Sequence, residues 1–315
     1  MSPIAFGTWQ LGGEWGEFDE RRAIDAIRHA LGLGINFFDT AQAYGFGASE
    51  RLLGRALEDE LRHARDEVAI ATKGGLRRVD GGVDRDSSPD WIRQGVEQSL
   101  EALGVDFIDL YQVHWPDPDT PLADTAAALA ELVEQGSIRH VGVSNFSVAQ
   151  LEELSQTLPV ETLQPPYHLF RREIEESVLP WCREHDAGVL VYAPLAHGLL
   201  TGAIDEHTEL ARDDWRSASP LFTGPGLTQN LEVVRQLEAV ADQIGCTLSQ
   251  LAIAWTLAHP AVDVAIVGSR SAEHIEEAVG ALEVELGERE LQWIEGIMQG
   301  AVGEEGPSPE MGRER

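Results

Sequence analysis

Eight short apolar segments, each usually followed by a helical pattern and together spanning about 270 residues, predict a single (β/α)8 barrel. Two absences narrow the choice among α/β folds. No G-x-G-x-x-G follows a strand segment and no G-x-x-x-x-G-K-[ST] occurs, which disfavours a doubly wound dinucleotide-binding sheet and a P-loop fold. No stretch of linker composition divides the 315 residues, a length that one such barrel accommodates.

Ile4 to Gly7 is the first segment, and it runs into Thr8-Trp9 and the turn-rich Gly12-Gly13. From Glu20 to Leu33 the residues Ala23, Ile27, Ala30 and Leu31 share one helical face, and Gly34 ends it. Ile35-Asn36-Phe37-Phe38 reads as a buried strand delivering Asp39 to its C-terminal edge. Tyr44, Gly45 and Gly47 follow in a loop, then a helix from Ser49, read as its cap, to about Leu61. Val68 to Thr72 is the next strand, ending at Lys73. Gly81 to Ser88 reads as a polar loop, and Ser88-Pro89-Asp90 opens a helix with the stripe Ile92, Val96, Leu100, Leu103. Phe107 to Val113 ends at His114, and a helix from Leu122 to Glu134 breaks at Gly136. His140 to Val143 ends in Ser144-Asn145, with a capping box over Ser147 to Gln150. Glu161 to Leu163 ends at Gln164. A helix near Glu175 to His185 leads to Gly188–Val191, which ends at Tyr192. Ala193 to about Thr228 reads as a long irregular loop. Helices at Leu231–Ile244 and Leu248–Ala258 flank Gly245. Val262 to Val267 is the last strand, running into Gly268-Ser269-Arg270, and helices at Ala272–Leu282 and Glu288–Met298 close a domain of residues 1–299. Residues 300–315 lack periodicity and read as a disordered tail.

Charge excludes several function classes. Fifty-four acidic residues face 23 basic ones, a formal net charge of -31 spread along the chain. Such a field opposes nucleic acid and anionic membrane. It reads as adaptation to molar salt, where repulsion between surface carboxylates is screened over a few ångströms; an ordinary acidic enzyme is the alternative. No apolar run reaches the roughly 18 residues of a membrane-spanning helix. The start lacks a signal-peptide layout, and Cys182 and Cys246 form neither a disulfide framework nor a metal motif. The expectation is a cytoplasmic protein without metal, its oligomeric state left open.

A barrel brings all its strand ends to one face, so Asp39, Lys73, His114, Ser144-Asn145, Gln164, Tyr192 and Gly268-Ser269-Arg270 are expected around one axis. Lys73 is the sole lysine among 23 basic residues. Arginine replaces lysine poorly where a compact, tunable point charge is needed, so its survival marks a candidate for chemistry. Taken singly, Asp39 reads equally as a helix-capping or turn acid; packing for Tyr44 and a buried, hydrogen-bonded histidine for His114 are the weaker alternatives.

Their joint order resembles the aldo-keto reductase family. The likeness rests on Phe6-Gly7-Thr8-Trp9, Asp39-Thr40-Ala41 to Tyr44-Gly45, Ser49-Glu50, Thr72-Lys73, Val113-His114, Val143-Ser144-Asn145, Gln164, Tyr192-Ala193-Pro194-Leu195 and Gly198-Leu199-Leu200-Thr201-Gly202, and it extends from Ser2 to about Leu291. It is strongest toward the bacterial and archaeal branch that also resembles potassium-channel β subunits. The resemblance implies reduction of an aldehyde or ketone by NADPH, NADH being possible, with Asp39, Tyr44, Lys73 and His114 catalytic. Chemically, a phenol of reference pKa about 10 needs help to serve as an acid near neutrality, and one close ammonium supplies roughly 4 kcal/mol at an effective dielectric near 20. Asp39 would hold that ammonium, and His114 would orient the carbonyl oxygen.

For the cofactor the resemblance implies Thr8, Trp9, Ser144, Asn145, Gln164, Tyr192, Pro194, Leu195, Gly198, Leu199, Gly268, Ser269, Arg270, His274 and Glu277. Tyr192 would stack on the nicotinamide, with Ser144, Asn145 and Gln164 on its carboxamide. Gly198 and Leu199 would offer N–H groups to the pyrophosphate, and Arg270 would clamp a 2′-phosphate. His274 and Ala278 stand where Gln and Asn are usual. Trp9, Trp115 and the 193–228 loop would line the substrate pocket, although Trp9, Trp215 and Phe222 read equally as packing. An NADPH-binding sensor with little turnover is the alternative; a barrel hydrolase lacks a pair of strand-end acids. The usual N-terminal hairpin is missing before Ser2-Pro3-Ile4, and Met1 stands where Val is common, so the expected start lies upstream of Met1.

Overall fold

The computed structural model describes residues 1–13, 18–80, 82–211 and 214–304. In chain order its strands are β1 (Ile4–Gly7), β2 (Phe37–Asp39), β3 (Ala69–Gly74), β4 (Leu76–Val79), β5 (Gly82–Arg85), β6 (Ile108–Val113), β7 (Ile138–Ser144), β8 (Thr162–Gln164), β9 (Gly188–Tyr192) and β10 (Val264–Gly268). All but β4 and β5 are parallel and close into a barrel in the order β1-β10-β9-β8-β7-β6-β3-β2. This is the (β/α)8 architecture.

Side-chain alternation builds two cores from these strands. Ala5, Phe37, Ala71, Leu110, Leu190, Val264 and Ile266 point inward and fill the barrel. Their neighbours, such as Phe6, Phe38, Ile70, Tyr111 and Val191, pack outward under the helices. The same period of two directs the next inward residues, Asp39 on β2, Lys73 on β3 and Gln112 on β6, into one polar layer above the apolar plug. That layer lies at the C-terminal strand ends.

The strand–helix packing is close enough to restrict side chains. An added Cβ at Gly74 would stand 1.8 Å from the Tyr111 hydroxyl oxygen and 2.8 Å from its ring carbon. Tyr111 is fully buried and its ring cannot yield. Gly74→Ala is therefore expected to cost about 1–3 kcal/mol as overpacking, read as a lower denaturant midpoint with unchanged m.

Three expectations need correction. Residues assigned to a polar loop after Gly81 form β5, paired antiparallel to β4 with Leu76 opposite Arg85 and Val79 opposite Gly82. The hairpin is exposed, so it lacks the apolar alternation that marks a buried strand. The helix read from Leu231 begins at Gly224, behind Thr223 and with Pro225 in its first turn, which shortens the irregular loop. The remainder of that loop carries short 3-10 turns at Ala196–Thr201 and Trp215–Ala218. Finally, residues 300–304 pack back on the barrel: the Gln229 amide donates to the Gly300 carbonyl, Val302 N to Asn230, and Glu304 N to the Phe170 carbonyl. Residues 305–315 lie outside the described residues. Among those described, no helix is long and apolar enough to cross a membrane.

Candidate active site

β2, β3 and β6 are neighbours, and their register sets Lys73 beside Gln112 and Asp39 beside Ala71. Lys73 Nζ donates to Asp39 Oδ1 at 2.6 Å and to the Thr40 carbonyl at 2.8 Å. Its remaining direction meets the Tyr44 hydroxyl oxygen at 3.5 Å. Asp39 and Lys73 are 2% and 1% exposed, so this ion pair is fully desolvated. Burial pushes the ammonium down from its ordinary value, while the charge and hydrogen bond of Asp39, and Glu50 at longer range, hold it up.

Tyr44 reaches this pair from a loop shaped by left-handed residues, Gly45 at φ 59°, Phe46 at 48° and Gly47 at 86°. A Cβ at Gly45 would lie 2.2 Å from the Gly12 carbonyl oxygen, so only glycine fits there. Gly47, rather than Ser49, occupies the helix N-cap. Ser49 instead is buried as the second residue of the helix, its hydroxyl bonding Thr8 Oγ1 at 2.7 Å, which ties the Tyr44 segment to the end of β1. The Tyr44 ring meets His114 edge-on at 5.8 Å and Trp9 at 6.3 Å. Burial, reinforced by Lys73, drives the His114 imidazole well below its ordinary value, so the ring is neutral near pH 7. A neutral imidazole can offer an N–H to a carbonyl oxygen.

The structure thus brings Asp39, Tyr44, Lys73 and His114 together. It also shows supports of Asp39 that spacing alone did not reveal, a new residue in Gln112 and a new partner for Gln164. Gln112 and Gln164 both turn their amides toward Asp39 Oδ2, at 3.5 and 2.9 Å. The Gln164 side chain, expected on a nicotinamide carboxamide, therefore supports the ion pair from across the barrel. Behind β3, Glu50 is buried and accepts a 2.6 Å bond from Thr72. Burial raises its carboxyl above the usual range, against the pull of the Thr72 hydrogen bond.

The expected cofactor residues occupy the other arc of the mouth, at the ends of β7 to β10 and β1. Ser144 Oγ donates to the Gln164 carbonyl at 2.7 Å. The Asn145 amide donates to Ser144 Oγ and to the His114 carbonyl, and the Tyr192 hydroxyl donates to Asn145 Oδ1 at 2.9 Å. Asn145 and Ala193 hold left-handed backbones at φ 64° and 57° directly past their strands, a strain characteristic of functional edges. An aromatic ring flanked by oriented amide and hydroxyl groups fits a nicotinamide. Pro194 and Leu195 lead into the Ala196–Thr201 turn, where the Gly198 N–H closes on the Leu195 carbonyl at 3.0 Å instead of pointing outward as expected. Gly268, Ser269 and Arg270 run from β10 to the N-terminus of the Ala272–Gly280 helix, capped by Ser271. His274 is exposed on its first turn, and Glu277 accepts from Thr247, the cap of the adjoining helix, at 2.7 Å.

Of the expected substrate-lining residues, Trp9 is half-buried beside Tyr44, and Trp115 lies under the β4–β5 hairpin with the Arg85 guanidinium 5.2 Å from its ring. Trp215 and Phe222 pack edge-on, at 4.6 Å against His197 and at 6.4 Å against one another, which is the packing reading of these two.

Comparison with known proteins bears on the family and the fold. The aldo/keto reductase family pattern matches residues 3–299. Aldo-keto reductase YhdN of Bacillus subtilis is 43% identical over 277 residues, covering 87% of this chain and 83% of that protein. The NADH-specific methylglyoxal reductase of Escherichia coli is 33% identical over 302 residues, 91% of each chain. Among solved structures, the glycerol dehydrogenase AKR11B4 of Gluconobacter oxydans superposes with a TM-score of 0.90 at 37% identity, over 98% of this chain and 95% of that one.

Proposed function

The chain belongs to the aldo/keto reductase family, and from that premise we propose that it is an NADPH-preferring reductase of small aldehydes or ketones with Tyr44 as its general acid. That it is an oxidoreductase using a nicotinamide cofactor follows from the family itself. The observation that carries the mechanism is the Asp39–Lys73–Tyr44 chain of contacts, 2.6 and 3.5 Å long, with Asp39 and Lys73 buried and a neutral His114 edge-on to the Tyr44 ring. When bound, the reduced nicotinamide supplies a hydride to the carbonyl carbon. Tyr44 then donates its hydroxyl proton to the carbonyl oxygen. Lys73 stabilises the phenolate left behind, and Asp39 keeps Lys73 charged and aimed. His114 positions the oxygen. Gln112 and Gln164 hold the Asp39 carboxylate in place. NADPH consumption with an activated aromatic aldehyde tests this directly. Tight NADPH binding with negligible turnover would instead favour a sensor role of the potassium-channel β-subunit kind.

Preference for NADPH rests on Arg270, which enters a helix N-terminus at the expected position of a 2′-phosphate. The family does not decide the matter, since the Escherichia coli relative is named NADH-specific. Arg270→Ala is expected to weaken NADPH about 10- to 100-fold, the worth of a charged hydrogen bond, and NADH by less than 3-fold. Equal losses for both cofactors would show that Arg270 does not read the phosphate.

We further read the net charge of -31 as adaptation to high salt. At low ionic strength the carboxylates repel over long distances, whereas at 1 M the screening length is about 3 Å. The melting temperature is accordingly expected to climb steeply from dilute buffer to molar KCl. A flat or falling curve contradicts this reading.

A further inference from the structure

We propose that His168, His197 and Glu304 form a site for one divalent ion of the zinc class (Zn2+, Co2+ or Ni2+), made of residues other than the Asp39, Tyr44, Lys73 and His114 cluster and argued independently of the reductase reading. His168 follows β8, His197 lies in the turn after β9, and Glu304 comes from the segment beyond the last helix. One potential ligand atom from each converges within 4.8 Å of the others. His168 Nε2 stands 3.9 Å from Glu304 Oε2, too far for a hydrogen bond and near enough for a shared ion.

Two independent observations point into this space. His168 is 0% exposed, yet neither of its ring nitrogens finds a hydrogen-bond partner among the described residues. Glu304 Oε2 is likewise buried and accepts no hydrogen bond. Each buried polar atom left this way costs about 1–3 kcal/mol, so an occupant that bonds both is favoured. An ion on Nε2 leaves Nδ1 to carry the ring proton.

Charge argues the same way. Two guanidiniums border the cluster, and each already has a carboxylate: Arg171 pairs with Glu173 at 3.0 Å and Arg216 with Asp214 at 2.6 Å. Glu304 is then a third carboxylate against two guanidiniums, with the Arg171 Nη1 no closer than 3.8 Å. A divalent cation would neutralise that surplus and more than replace the weak Arg171 contact. Two imidazoles and one carboxylate are a zinc-type ligand set, leaving a fourth position for water. Bonds of about 2.0–2.1 Å would draw the three ligand atoms inward by roughly an ångström. The Ser219 hydroxyl, 3.4 Å from Glu304 Oε1, is placed to orient the carboxylate from behind.

Such an ion would fasten residues 300–304 to the Ala196–Thr201 turn that borders the cofactor arc. The test uses the full chain stripped with chelator and titrated calorimetrically with Zn2+ in high KCl. Wild type is expected to bind one Zn2+ per chain and to melt higher with Zn2+ than with Mg2+. Glu304→Gln, nearly isosteric, and His168→Asn should each weaken that event about 100-fold, while the surface variant Glu152→Gln leaves it unchanged. Co2+ in wild type should show the visible bands of a four-coordinate N/O site, absent in Glu304→Gln. Binding of equal strength in wild type and Glu304→Gln, or no stoichiometric Zn2+ binding by wild type, overturns the proposal and leaves the cluster to water.

Discussion

Tyr44→Phe is expected to lower kcat by 10²- to 10⁴-fold, the range for loss of a positioned acid, while NADPH affinity stays within 2-fold of wild type. The substitution removes one oxygen and little else. The ring keeps its edge-on contact with His114 and its tilted contact with Trp9. Lys73 keeps its two short bonds to Asp39 and the Thr40 carbonyl; the bond it loses is the long one, 3.5 Å. Unfolding free energy should therefore change by less than about 1 kcal/mol, the net worth of one ordinary hydrogen bond. A large loss of turnover without a loss of stability or cofactor binding isolates the proton. Single-turnover NADPH oxidation and a fluorescence titration of NADPH, run on the same preparation, separate the two quantities. Should kcat fall by less than 10-fold, the proton comes from elsewhere, and the Lys73 ammonium, 3.5 Å from the hydroxyl oxygen, is the nearest group carrying one.

How much of this was legible in the sequence depends on whether the information was local. A period of two along Phe37-Phe38-Asp39 and along Ala71-Thr72-Lys73 decides that Asp39 and Lys73 share the barrel interior, so their meeting could be read from spacing and fold class together. Lys73 stood out further because arginine fills every other basic position. The partner of Gln164 was not legible. Its amide meets Asp39, 125 residues earlier, across the barrel axis, and no local pattern encodes a distance between opposite strands. Gln112 was passed over for a related reason: an inward polar residue one step before a strand end looks like the end itself. The β4–β5 hairpin escaped because all of it but Leu76 and Arg85 is solvent-exposed and carries no apolar alternation, although Asp80-Gly81 between Val79 and Gly82 is a two-residue turn signal in the sequence. The packed part of the tail escaped for want of periodicity. Residues 300–304 are anchored by backbone bonds to Asn230 and Phe170 and by a single buried acid, features visible only once the barrel is assembled.

Lys73→Met should be the most destabilising change at the site and should also abolish turnover, and a second substitution can separate the two effects. Removing the ammonium leaves Asp39 as a buried carboxylate with the Gln164 amide at 2.9 Å and the Gln112 amide at 3.5 Å as its remaining side-chain donors. Breaking a desolvated ion pair on one side costs about 3–5 kcal/mol, because the surviving charge is uncompensated. Adding Asp39→Asn discharges it: the new amide can accept from Gln164 and donate to the Gln112 carbonyl oxygen. The double variant is therefore expected to be more stable than Lys73→Met alone, by urea unfolding, with most of the loss recovered. Turnover should not follow. At 3.5 Å an ammonium contributes about 5 kcal/mol to a phenolate at an effective dielectric near 20, equivalent to roughly 10³-fold in rate, and neither variant restores that charge. Lys73→Arg should fail as well, since the planar guanidinium cannot meet Asp39, the Thr40 carbonyl and Tyr44 from one point. If kcat instead returns together with stability in the double variant, Lys73 serves to hold Asp39 in the fold, and the acidity of Tyr44 has another source.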